Sequence, residues 1–245
     1  MSVPPLSVFL IAKNAPADLD QCLSLIRPIA DELVVVVDSS SDDSTQSVAR
    51  SHASKVFVRP FDGFSAMKSF ALSQCTREWA LNLDTDEWPS PELIQEIKSV
   101  ISSPQPGVDG YAVNRLPYFL GKPIRHGGWY PDWVLRLVRR EKSFYPRRPV
   151  HERLEVSGPT ARLCGELRHY TVTDWPRFLE KQRRYAALSS ASPSCLSRWI
   201  RPPAVFLKSA VLELGLLDGW RGLAVAFAQG YYTHHKYKIC RPAEK

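Results

Sequence analysis

The five cysteines among 245 residues are Cys22, Cys75, Cys164, Cys195 and Cys240. They are odd in number and widely scattered, which excludes a disulfide framework. No C-x-x-C occurs, so a structural zinc site is set aside too. The thiols read as reduced, in a cytoplasmic protein. No run of about eighteen uncharged apolar residues exists, and no segment reads as a membrane span. The opening MSVPPLSVFLIAKN has no basic stretch ahead of its short apolar run. It reads as a first strand and not as a signal peptide. Internal repeats and low-complexity tracts are absent.

What is present is an ordinary globular composition, 44% hydrophobic, with a formal net charge of +7. That is enough apolar material for a sizeable core. The positive balance favours anionic partners: nucleic acid, a phosphate-bearing substrate or an acidic membrane surface.

Up to about residue 115 strand and helix patterns alternate. Strands are expected at Leu6–Ile11, Leu33–Val37, Val56–Val58 and Trp79–Leu83, the second a β-branched run suited to a strand covered on both faces. Helices are expected at Asp18–Arg27, after SSSDDST through Ala49, at Phe64–Gln74, and from the N-cap Ser90 with Pro91 behind it to about Ile101. This alternation predicts an α/β fold with a mostly parallel sheet. Residues 110–170 are richer in aromatics, glycine, proline and arginine, with strand-like pieces at Gly110–Arg115 and Trp133–Val138. Helices follow at Asp174–Ser190, Ala204–Leu217 and Gly219–Lys238.

The chemistry is concentrated in LDTDE at 83–87. Asp84 lies just past the end of a predicted strand, where open α/β sheets bind ligands. Asn14 and Asp38 close two other strands on the same edge, and a crevice so lined suits a nucleotide. In an extended segment Asp84 and Asp86 point the same way and could grip a hard divalent cation, Mg2+ or Mn2+, with positions left for phosphate oxygens. The spacing does not fit a calcium loop of the EF-hand type. The plain alternative is a solvated acidic turn in which Glu87 only favours a helix N-terminus.

Several segments carry a resemblance. LIAKN at 10–14, VVVVDSSSDDST at 34–45, FDGFSAMKSFAL at 61–72 and LDTDE at 83–87 resemble, in order and register, the motifs of family 2 glycosyltransferases. GKPIRHGGWYPDWVLRLVRR at 121–140, PVHE at 149–152 and LDGWRGLAVAF at 217–227 are similar to the branch containing lipopolysaccharide inner-core β-1,4-glucosyltransferases. The resemblance implies a GT-A fold: a Rossmann-like, nucleotide-sugar-binding, mixed and mostly parallel sheet flanked by helices. It would occupy residues 1–190, with a donor-binding half at 1–115 and an acceptor-side half at 116–190. A C-terminal helical appendage would span 191–245.

It also implies a metal-assisted, inverting hexosyl transfer from a UDP-sugar, UDP-glucose for this branch, to a lipopolysaccharide core or related lipid-linked saccharide. By position, Asp38 resembles the acid that meets the nucleoside. Asp84 matches the first acid of the D-x-D motif, near ribose and metal, and Asp86 the second, on the metal. Lys68 is kept and would meet donor phosphates, whereas Met67 and Ser69 depart from the glutamine and asparagine expected there. His169 falls where many GT-A enzymes carry a metal-binding histidine; a packed or surface role is its plain alternative.

Inversion needs a base for the acceptor hydroxyl, and a carboxylate is the usual choice in this fold. Glu152 in PVHE is the first candidate and Asp132 in GGWYPD the rival. Their plain alternatives are an ion pair with a neighbouring arginine and a turn residue after Tyr130-Pro131. The basic cluster Arg136, Arg139, Arg140, Lys142, Arg147, Arg148 and Arg153 would grip a diphosphate or form a solvated face. Arg136 and Arg139 are expected to point inward, because they alternate with Leu135, Leu137 and Val138, and Arg136 is assigned to the donor. Nucleic acid is the competing anionic partner, disfavoured because no recognised nucleic-acid module is visible. Other lipid-linked or protein acceptors, or a non-catalytic surface-binding role on the same scaffold, are the remaining alternatives. The aromatic and basic C-terminal helices suit peripheral contact with the cytoplasmic face of an inner membrane, or simple packing.

Overall fold

The structure, a computed structural model, describes residues 6–146, 153–188 and 197–238. The chain divides into two compact units, each assembled from two stretches of chain: Met1–Arg115 with Trp133–His169, and Leu116–Asp132 with Tyr170–Lys245.

The first unit is built on a sheet. Strands β1 (Leu6–Ala12), β2 (Glu32–Asp38), β3 (Lys55–Arg59) and β4 (Trp79–Asn82) are parallel, in the order β3-β2-β1-β4. Helices α1 (Pro16–Ile26), α2 (Asp43–His52) and α3 (Phe64–Ser73) make the crossovers. The sequences LSVFLIA and ELVVVVD are apolar throughout because both faces of these strands are covered. Leu6, Val8, Leu10, Leu33, Val35 and Val37 pack with Leu19, Leu23 and Ile26 of α1. The alternate residues Phe9, Val34 and Val36 pack with Met67 and Ala71 of α3. The chain leaves β1 first toward β2 and later returns on its other side as β4, so the sheet has its switch point between β1 and β4. Ligand crevices open at the carboxyl ends of strands at such a point.

Sequence-visible caps set the helix starts. The Asp42 carboxylate accepts from Thr45 N–H at 2.8 Å. Ser90 Oγ accepts from Leu93 N–H at 3.2 Å, with Pro91 opening α4 (Pro91–Ser102) as expected. Helix α1 starts at Pro16, two residues ahead of the Asp18 start read from the pattern.

Four further strands join the sheet: β5 (Glu87–Pro89), β6 (Gly110–Phe119), β8 (Trp133–Arg139) and β11 (Thr160–Val172), which extend the order beyond β4 as β8-β6-β11-β5. Strand β8 runs antiparallel to β4, with Trp79 opposite Arg139 and Leu81 opposite Leu137. Strand β5 runs antiparallel to β11, with Glu87 opposite His169 and Pro89 opposite Leu167. Helix α4 clasps β11. The Glu96 carboxylate accepts from the N–H groups of Cys164 and Gly165, and a Cβ at Gly165 would fall 2.5 Å from Leu93 Cα. Only glycine permits that approach. A two-stranded ribbon, β9 (Ser143–Phe144) with β10 (Glu155–Val156), completes the unit.

The second unit holds the end of β6, which pairs with β7 (Lys122–Pro123), and helices α5 (Trp175–Leu188), α6 (Ser197–Leu207) and α7 (Gly219–Lys238). Its core gathers Phe119, Ile124, Val172, Phe178, Val225 and Ala228, with Phe119 edge-on to Trp175 and Phe178. The expected helix Ala204–Leu217 is not one helix. Helix α6 begins at Ser197 and runs through Pro202 and Pro203. It gives way to a π turn at Lys208–Leu212 and a short 3-10 turn at Gly215–Asp218. Leu214, at φ 59°, turns the chain between them. The paired prolines look like a helix boundary because each lacks an N–H and crowds the preceding turn. No helix of the described residues is long and apolar enough to cross a membrane.

Candidate active site

The carboxyl ends of β2, β1 and β4 bring together three of the segments singled out in the sequence. At the end of β2, Asp38 is buried; its Oδ1 accepts from Ser40 N–H and Ser40 Oγ at 2.9 Å, and its Oδ2 meets Lys13 Nζ at 2.7 Å. These contacts, Lys13 first, hold the carboxyl down at about 2 against an ordinary 3.8. Asn14 takes φ 47°, a left-handed conformation that asparagine tolerates better than most residues. Its Oδ1 accepts from Asp42 N–H at 2.9 Å and Ser41 Oγ at 3.3 Å, tying the end of β1 to the loop after β2.

Past β4 lies a buried charge network. Asp84 Oδ1 meets Lys68 Nζ at 2.7 Å and Oδ2 meets Arg136 Nη2 at 2.9 Å. Arg136, on β8 and 7% exposed, also donates to Glu87 Oε1 and, at 2.7 Å, to Asn82 Oδ1. Tyr145 Oη donates to the same Asn82 oxygen at 3.0 Å. Arg115 reaches Glu87 Oε1 at 3.2 Å. Burial alone would push the Asp84 carboxyl up; the Arg136 and Lys68 charges beside it reverse that and hold it far below the usual carboxylate range. Burial would likewise make Arg136 easier to deprotonate, and the Glu87 and Asp84 charges overcome it.

Glu87 is not a helix-capping residue. It is fully buried in β5, and its Oε2 accepts from Asp84 N–H at 3.1 Å while its own N–H donates to Asp84 O at 3.0 Å. The segment Asp84–Glu87 is therefore a tight turn and not an extended strand. The two aspartates face different partners: Asp84 turns to Lys68 and Arg136, whereas Asp86 Oδ2 lies 3.3 Å from His169 Nε2. The β5–β11 register explains the second pairing, because His169 sits directly opposite Glu87.

Asp86 and His169, both partly exposed, form a carboxylate and imidazole pair suited to Mn2+ or Mg2+. Asp18 of α1 adds to the negative field; burial and then the Asp86 charge raise its carboxyl. Both Asp84 oxygens are occupied by cations, so it fits a metal less directly than Asp86 does. No cluster of three or more potential metal-ligating side chains occurs among the described residues. A divalent ion with two protein ligands, the rest from phosphate and water, fits this donor set.

The remaining sequence candidates are placed as follows. Glu152, with His151, Arg147 and Arg148, lies outside the described residues. Asp132 belongs to the second unit, half-buried after the cis Tyr130–Pro131 peptide. Met67 is a core residue under the sheet and Ser69 is exposed, so neither departure from the family pattern lines the acidic site. Of the described basic cluster, Arg136 enters the site. Arg139, Arg140 and Lys142 lie toward the opposite end of β4, where they meet Glu78, Asp109 and Glu141. Asn82, Arg115, Lys13 and Asp18 went unnoticed in the sequence. Of these only Asn82 carried a signal, a lone amide inside the apolar run WALNL.

An α/β sheet with this acidic turn at its switch point, and the mixed strands that follow, is a GT-A arrangement. Residues 7–161 match the family described as Glycosyl transferase family 2, and the chain belongs to it. Over 262 residues it is 29% identical to the lipopolysaccharide core biosynthesis glycosyltransferase LpsC of Rhizobium meliloti (strain 1021), covering 96% of this chain and 94% of LpsC. Over 98 residues it is 43% identical to an uncharacterized glycosyltransferase of Rickettsia bellii (strain RML369-C), covering 40% of this chain and 33% of that one. Among solved structures, the mannosyltransferase PcManGT from Pyrobaculum calidifontis, in complex with GDP-Man and Mn2+, shares the fold. The TM-score is 0.56 at 14% identity, covering 100% of this chain and 89% of that one.

Two outcomes are expected. Arg136→Leu leaves Asp84 and Glu87 facing each other without their shared cation, and urea unfolding will show a loss of about 3–5 kcal/mol. The depressed Asp38 carboxyl contributes stability that is fully present above its ordinary value of 3.8 and lost as pH falls toward about 2. Asp38→Asn will flatten that part of the stability curve, measured by urea titration at a series of pH values.

Proposed function

We propose that this glycosyltransferase moves glucose from UDP-glucose, with inversion, to a lipid-linked saccharide of the lipopolysaccharide core or a related envelope glycan. The observation that carries the reading is the Asp84–Glu87 turn, which sets an Asp86–His169 pair beside Lys68 and Arg136 at the sheet's switch point. Full-length similarity to LpsC supports the acceptor class. The anionic-strand alternative loses ground because Arg139, Arg140 and Lys142 each face an acid.

In this reading Asp38 and the Asn14-braced loop receive the nucleoside, and the Asp84 turn receives the diphosphate. A divalent cation held by Asp86 and His169 would supply Lewis-acid neutralisation of the leaving diphosphate. Lys68 and Arg136 keep two positive charges at the same place, preorganised by Asp84 and Glu87, so little reorganisation is needed as the leaving group gains charge. Glu152 takes the proton from the acceptor hydroxyl, with Asp132 as the rival for that role.

A thermal-shift screen of nucleotide sugars tests the donor assignment, because a ligand that prefers the folded state raises Tm. UDP-glucose with Mn2+ is expected to stabilise the chain more than UDP-glucose alone or GDP-mannose with Mn2+. Asp86→Ala and His169→Ala are expected to remove the Mn2+ increment. Equal shifts with and without metal in the wild type would refute the metal-assisted reading. For the base, Glu152→Gln is expected to keep the thermal shift and lose transfer; normal turnover in that variant would move the role to Asp132.

A further inference from the structure

The second unit holds a cavity of about 220 Å³ that the donor chemistry leaves unused. Helix periodicity builds its walls. Phe178 and Gln182, four residues apart on α5, line one side, and Gln229, Tyr232 and Thr233 line another from successive turns of α7. Trp129 reaches it from the loop ahead of the cis Tyr130–Pro131 peptide. That loop is pinned in place. The Gly127 carbonyl accepts from Gln229 Nε2 at 2.8 Å and from Ser209 Oγ at 3.0 Å. Gly127 takes φ 71°, and a Cβ there would fall 3.2 Å from Ser209 Oγ, so this seat favours glycine twice over. The Trp129 ring stands edge-on to Phe119 and Phe178, at 6.5 and 6.0 Å between centroids, which fixes its orientation.

The lining indicates what fits. Among the described residues no charged side chain lines the cavity, so a phosphate or carboxylate would find no counterion in it. Gln229 spends its Nε2 on Gly127, and its side-chain oxygen has no protein partner among the described residues. The same holds for the Gln182 amide, the Tyr232 hydroxyl and the Trp129 N–H. Donors and acceptors therefore converge on one space beside aromatic rings. An acyl chain would leave these polar groups unmatched. A flat base is held well between parallel rings, whereas Trp129 and Phe178 stand at 74° to each other. A pyranose matches both features, because its hydroxyls donate and accept while its C–H face packs on a ring. The cavity is smaller than the roughly 300–1,000 Å³ of pockets for drug-sized ligands, and suits one sugar ring.

We propose that this cavity binds a single neutral hexopyranose, a ring of the acceptor glycan other than the one that reacts. The proposal rests on the saccharide acceptor assigned above, and its binding test needs no acceptor.

The test is saturation-transfer NMR on the full chain with methyl β-glucoside, methyl β-galactoside, methyl α-mannoside, uridine and decanol as separate probes. At least one glycoside is expected to bind, with a Kd of about 1 mM for so small a ligand. Gln182→Ala with Tyr232→Phe is expected to weaken it about tenfold, since two hydrogen-bonding groups are removed. Val205→Phe, which fills the cavity from α6 without removing a polar group, is expected to weaken it as much and stands in if the double variant unfolds. Neither change touches Lys68, Asp86, Arg136 or His169, so the Mn2+-dependent thermal response to UDP-glucose is expected to persist in both. Equal glycoside binding by the wild type and the folded variants, or no glycoside signal at all, would overturn the proposal. It is overturned as well if uridine or decanol, and not a glycoside, is the probe whose signal the variants lose. A nucleotide response without a variant-sensitive glycoside removes the sugar pocket alone; the converse removes the donor assignment alone.

Discussion

Arg136 is the point at which the sheet and the chemistry depend on each other. Its guanidinium is buried against the Asp84 carboxylate after β4, the Glu87 carboxylate on β5 and the Asn82 amide within β4. Two carboxylates so near each other would repel if left alone, and burial would strip them of water. With Arg136 between them, and with Lys68 and Arg115 on the outer sides, each acid has two cations beside it. A phosphate-bearing ligand arriving here meets cations already fixed in place.

The same constraint explains why the turn reads ambiguously in sequence. The spacing of Asp84 and Asp86 suggests two carboxylates aimed at one ion. The turn that closes between Asp84 and Glu87 separates them, committing one to structural cations and leaving the other to face His169. Glu87, which from its position looks like a helix-favouring residue, is the buried counterion that makes the turn possible.

Much of the first unit was legible because its physics is local. The unbroken β-branched run of β2, the Asp42 and Ser90 caps, and proline behind Ser90 each act within a few residues. Arg136 was legible from its alternation with Leu135 and Leu137. What escaped depends on distant pairing. The β5–β11 ladder, which sets His169 opposite Glu87, joins a three-residue strand to one far along the chain, and no local pattern in either names its partner. Position within a known motif order, and not hydrophobic pattern, was the only pointer to His169. The interleaving of the two units is likewise only partly legible: composition changes near residue 110, close to the first crossing at Leu116, but nothing local marks the return at Trp133 or the second crossing at Tyr170. The prolines in α6 misled for a definite reason: they signal a break that the tertiary packing of that helix overrides.

The Asp86–His169 pairing also dictates an order of events when the chain is made. Translation runs from the N-terminus, so Asp86 emerges from the ribosome well before β11, and until that last strand is laid against β5 the carboxylate has no imidazole beside it. A chain that ends before β11 lacks the imidazole, one of the two side chains of the proposed metal pair. In the proposed reading the pair can hold its ion only after β11 has joined the sheet, so readiness of the site follows closure of the sheet.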